Sequence, residues 1–73
     1  MIVEVFKTNI NRRSQANKLL EAIHKTFHNH KANFDLEDCD RILRVQCDEG
    51  ILCTKTLTAF LSDMGCKAEI LQG

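Results

Sequence analysis

Apolar positions along the chain switch between two spacings, and the switches mark its elements. Over residues 2–8 the alternation puts Val3 and Val5 on one side and Ile2, Glu4 and Phe6 on the other, which predicts a first strand, β1. From Asn11, a residue type suited to an N-cap, the spacing becomes helical. Ala16, Leu19, Leu20, Ile23 and Phe27 line one stripe of a helix, α1, that ends near His28. Alternation returns at residues 33–36 and again at 41–47 through Leu43, Val45 and Cys47, separated by the acidic turn Glu37-Asp38-Cys39-Asp40. These predict β2 and β3, joined as a hairpin. A second helical stripe, Leu57, Phe60, Leu61 and Met64, predicts α2, with Gly65 stopping it. Leu52 and Leu57 bracket Cys53 as a hydrophobic staple would, placing Cys53 at or beside the N-cap. Residues 66–71 predict β4.

The order βαββαβ, with right-handed crossovers, predicts an α+β ferredoxin-like sandwich in which two helices cover one face of a four-stranded antiparallel sheet. Residues 1–73 are too few for more than one domain, and the core is correspondingly small. The topology gathers the end of β1, the start of α1, the β2-β3 turn, the end of α2 and the start of β4 at one pole. The end of α1, the α1-β2 loop, the end of β3 and the start of α2 meet at the other.

Charge removes several classes of partner. Ten basic and ten acidic residues cancel, so no global field draws the chain to nucleic acid or to an anionic membrane. Nowhere do eighteen apolar residues run together, and the first six residues do not read as a signal segment, so the expected location is the cytoplasm. There the four cysteines, Cys39, Cys47, Cys53 and Cys66, are expected to be reduced thiols. Their spacing contains no Cys-x-x-Cys pair, which removes the strong zinc and redox signatures.

Three segments taken together resemble the heavy-metal-associated domain of copper chaperones and heavy-metal pumps. Phe34-Asp35-Leu36-Glu37 is similar to that family's second strand, Leu57 to Met64 to its second helix, and Gly65-Cys66-Lys67-Ala68-Glu69-Ile70-Leu71 to its closing strand. The resemblance spans nearly the whole chain. It implies a metal loop between β1 and α1, and there the chain reads Asn9-Ile10-Asn11-Arg12-Arg13-Ser14-Gln15-Ala16. Registered through α1, Ile10 stands where the family has its loop Met, Arg12 at its first Cys and Gln15 at its second. Cu(I) is held by thiolate sulfur, which neither a guanidinium nor a carboxamide replaces. The family's metal transfer is therefore not carried over.

What is left at that pole offers two chemistries. Cys66, where relatives carry an aromatic residue, and Cys39 in the β2-β3 turn are candidate thiolate ligands for Cu(I) or Zn(II). The plainer reading is that Cys66 is a core residue and Cys39 a turn residue. Lys7, Arg12 and Arg13 cluster at the start of α1, where helix N-H groups point outward, and are candidates for an anion or a partner's carboxylate. The alternative is that they pair with Glu37, Asp38 and Asp40. At the other pole His24 and His28 share a helix face, near His30, Cys47 and Cys53, a set that suits either a metal or purely structural use. Cys53 at a helix start has its thiolate favoured, with no resolving thiol in view.

Ile2, Phe6 and Ile42 are expected on the open face of the sheet, an apolar strip for a homodimer or a protein partner. Acylphosphatases share the predicted topology, but their Gly-rich loop is missing, and no base and nucleophile pair is visible. The reading is a non-enzymatic binding module with no cofactor, acting by protein or anion recognition; the alternative is soft-metal binding through Cys66 and Cys39.

Overall fold

The computed structural model describes residues 1–71. Its elements run β1 (Ile2–Thr8), α1 (Arg13–Thr26), β2 (His30–Asp35), β3 (Ile42–Cys47), α2 (Thr54–Asp63) and β4 (Ala68–Ile70). The fold is α+β: two helices and one four-stranded antiparallel sheet in the order β2-β3-β1-β4. Among the described residues no helix is long and apolar enough to cross a membrane.

Several boundaries differ from the sequence expectation, each for a local reason. α1 begins one residue later, because Arg12 is still extended (φ −120°, ψ 130°) while its carbonyl accepts the first helical bond from Ala16 N-H at 3.0 Å. Asn11 makes no cap. β2 begins at His30 instead of residue 33, since His30 and Ala32 continue the inward alternation of Phe34. β4 is shorter than predicted, yet Leu71 N-H still donates to Val5 O at 2.8 Å. Cys53 does occupy the N-cap position of α2, and Gly65 follows that helix at φ +82°, a left-handed conformation in which a β-carbon is strained. Met64 stands at the C-cap and is exposed instead of completing the buried stripe.

Cross-strand register decides which face is the core. Residues directly opposite in an antiparallel pair point to the same side. Phe6 lies opposite Leu43 and Ile70, and Leu43 lies opposite Phe34, so these residues share one face. On that face Phe6, Leu43, Val45, Cys47 and Phe34 join Ala16, Leu19 and Ile23 of α1 and Leu57 and Leu61 of α2 in one buried cluster. Phe6 is fully buried, which corrects its expected place on the open face. Ile2 shares Phe6's side at the sheet end and is 41% exposed. Only Ile42 belongs to the open face, and it is buried at 5% exposure. Val3 and Val5, not Ile2 and Phe6, are its apolar neighbours there.

Candidate functional site

The pole at the start of α1 is framed by main chain. Thr8 is buried at the end of β1; its Oγ1 donates to Arg41 O at 2.6 Å and accepts from Ile10 N-H at 3.2 Å. Thr8 N-H donates to Asp40 O at 3.2 Å. These bonds tie the β2-β3 turn, with Arg41 in a left-handed conformation at φ 48°, to the entrance of the β1-α1 loop. Ile10 plugs that loop into the core at 1% exposure. Asn9 Oδ1 accepts from Lys67 N-H at 3.0 Å, which brings the segment before β4 to the same place.

The frame leaves its charged side chains unspent. Arg12 and Arg13 are exposed at the start of α1, no side chain caps the helix, and no acid lies in its first turn. Cations at this end oppose the helix dipole, by about 0.3–1 kcal/mol each when exposed. Lys7 points to the open face opposite Ile42 and Glu69. There it lines a hollow of about 200 Å³ with Thr8, Asn9, Lys67 and Glu69. Lys7 is thus joined by Lys67, a residue that sequence reasoning missed although it adjoins Cys66. Arg12 and Arg13 do not line this hollow. Among the described residues the one ion pair is Lys31 with Asp48 at 3.7 Å, so Lys7, Arg12 and Arg13 do not pair with Glu37, Asp38 or Asp40.

The two candidate metal ligands differ sharply. Cys66 is fully buried in the core cluster, and burial pushes its thiol up to about 11. Its backbone N-H closes α2 by donating to Leu61 O at 2.9 Å. Cys39 is exposed in the turn, where its sulfur lies within 4.8 Å of carboxylate oxygens of Asp38 and Asp40. Cys66 does not join that group. Asp38 also has a structural use, since its Oδ1 accepts from Asp40 N-H at 2.9 Å.

At the opposite pole, side chains close the fold. Asn29 Nδ2 donates to Glu49 O at 2.8 Å and approaches Cys47 Sγ at 3.6 Å; Cys47 Sγ donates to Glu49 O at 2.9 Å. His30 is buried, its Nδ1 donating to Asn29 Oδ1 at 2.9 Å, and it stacks against Phe27 at 5.2 Å. His24 Nε2 accepts from Ala32 N-H at 3.0 Å. Gln46 donates to Asp48 at 2.8 Å and thereby holds that carboxyl below its usual range. His24, His30 and Cys47 are therefore engaged separately, and with His28 they form no shared ligand set among the described residues. Cys53 is exposed, and the hydrogen bond from Thr56 Oγ1 at 3.2 Å, with main-chain N-H groups behind it, lowers its thiol from the ordinary value.

Compared with models of known families, with curated proteins and with solved structures, the chain has no match.

Proposed function

We propose that the protein is a small, non-enzymatic binding module of ferredoxin-like, heavy-metal-associated-like architecture that lacks the usual metal loop and recognises an acidic group on a protein partner or a free anion. The architecture is supported by the βαββαβ order and by a sheet in which β1 and β3 are central. The observation that carries the recognition is the start of α1. Two arginines stand there against the helix dipole, unpaired with any acid among the described residues, above helix N-H groups that no side chain caps. Such a constellation disfavours the helix and favours a carboxylate or phosphate brought to it. Lys7 and Lys67 carry two further cations onto the open face, together with Glu69 opposite Lys7.

Arg12 and Gln15 in place of two thiols argue against the metal transfer that the resemblance would otherwise imply. Soft-metal binding through Cys66 and Cys39 is the second reading. What speaks for it is Cys39 beside two carboxylates; the burial of Cys66, which favours its protonated form, speaks against it. Enzyme chemistry finds no support in a pole that offers cations without a positioned base.

The test is a titration of the labelled protein with inorganic phosphate and with an acidic peptide, followed by amide NMR shifts. Saturable shifts at residues 12–16, lost in an Arg12→Glu, Arg13→Glu variant, are the expected result. Shifts that are absent, or unchanged by the variant, count against the reading.

A further inference from the structure

The two edges of the sheet are treated differently, and hydrogen-bond parity shows how. In an antiparallel ladder, residues alternate between bonding the neighbouring strand and turning their N-H and C=O away from it. Leu71 N-H bonds Val5 O, and Lys67 N-H bonds the Asn9 side chain, so residues 67, 69 and 71 face β1. Ala68 and Ile70 therefore direct their main-chain groups to the free edge, where among the described residues their N-H groups have no partner. On the other edge His30 and Ala32 of β2 also turn outward. There, however, His30 N-H donates to Phe27 O at 3.0 Å and Ala32 N-H to His24 Nε2 at 3.0 Å. The end of α1 thus occupies two of the three outward N-H groups of the β2 edge and leaves that of Phe34, whereas nothing among the described residues occupies those of β4. Exposed Ile70 and Leu71, 44% and 39% accessible, flank the β4 edge. An open strand edge of this kind is a template for another strand.

We propose that β4 is a self-association edge, on which two copies of the chain pair their β4 strands antiparallel about a two-fold axis at Ala68, joining two sheets into one. The charges select this register and this occupant. With Ala68 opposite Ala68 of the second copy, each Ala68 N-H meets the other's C=O, and each Ile70 N-H meets C=O of Cys66 across the axis. Cys66 N-H is already used by Leu61 O, but its carbonyl is free for this bond among the described residues. Lys67 and Glu69, both on the open face, then stand opposite each other twice, once on either side of the axis. A shift by two residues puts Glu69 against Glu69, which opposes pairing. A further shift puts Glu69 against Leu71. The strand is thus self-complementary in one register. A contact this short buries less than the roughly 800 Å² per partner of a standard interface. The dimer is accordingly weak, concentration-dependent and loosened by salt.

Sedimentation equilibrium on the reduced chain up to near-millimolar concentration tests this, with amide exchange at Ala68 and Ile70 as the local readout. A monomer-dimer equilibrium is expected, with both amides gaining protection as concentration rises while the amide of Phe34 on the β2 edge does not. Lys67→Glu or Glu69→Lys alone weakens the dimer about tenfold, the scale of two cross-strand charge pairs, and the double exchange restores it to within about threefold. Ala68→Pro, which removes an outward N-H without touching a bond to β1, abolishes it while circular dichroism is kept. A chain that stays monomeric throughout, a dimer indifferent to the charge exchange, or binding of an unrelated extended peptide to a monomer overturns the proposal.

Discussion

The two poles of this small domain spend their polar groups in opposite ways. Around residues 27–31 and 46–49 the side chains of Asn29, His30, Gln46 and Cys47 hydrogen-bond to hold the loops, and Lys31 pairs with Asp48. At the start of α1 the frame is main chain, pinned by Thr8 and Asn9, and Lys7, Arg12 and Arg13 are left over. A charged side chain that the fold does not use, and that the helix dipole opposes, contributes nothing to stability. On the proposed reading, that difference marks the start of α1 as the pole available for recognition.

Four changes probe this contrast, beginning with the largest. Thr8→Val keeps the shape of the side chain but leaves Ile10 N-H and Arg41 C=O without their partner at a buried site, so a loss of about 2–3 kcal/mol is expected in urea unfolding. Asn29→Ala at the other pole removes an exposed bond to Glu49 O and the part-buried partner of His30 Nδ1, and should cost about 1–2 kcal/mol. If Asn29 proves the larger, the two frames have been ranked wrongly.

The next effect depends on pH. Because Cys66 is raised from its ordinary value of 9 to about 11 in the folded chain, folding holds its proton more tightly than the unfolded chain does. Its contribution is complete below pH 9 and is lost as pH rises from 9 to about 11, at roughly 1.4 kcal/mol per unit within that window. Comparing unfolding midpoints of the native chain and Cys66→Ala across that range isolates the thiol from the lysines. Parallel curves would mean that Cys66 meets solvent and is open to a metal. The smallest effect carries the opposite sign. Arg12→Glu with Arg13→Glu should raise stability by about 1 kcal/mol, by reversing charges that oppose the dipole, while removing the proposed anion binding. A destabilised variant would show that the arginines serve the fold.

Much of the architecture was legible because each element carries its own local signal. The stripes Ala16, Leu19, Ile23 and Leu57, Leu61 have helical spacing, the Leu52–Leu57 staple marks Cys53, and Gly65 takes a conformation that other residues resist. The side of β1 that faces the core was not legible. Val3 and Val5 are as apolar as Ile2 and Phe6, and only the pairing of Phe6 with Leu43 decides between them. The start of β2 was hidden for a related reason, since its inward residues include His30 and Ala32, a polar and a small side chain. Asn11 is a better cap by type than Arg12, but the chain enters the helix at Arg12, and the nearby Asn9 holds Lys67 instead. At the candidate site, the exposure of Arg12 and Arg13 at the start of α1 was readable from topology, but the placing of Lys7 apart from them on the open face was not. The contribution of Lys67 was not, because it depends on a bond across most of the chain.

The most direct measurement is metal retention by the reduced, metal-free protein, followed by native mass spectrometry during titration with Cu(I) and with Zn(II), for the native chain and for Cys66→Ala. The account predicts no stoichiometric retention of either ion, and metal-free peaks alone for both proteins. One tightly held ion per chain, lost when Cys66 is replaced, would contradict it.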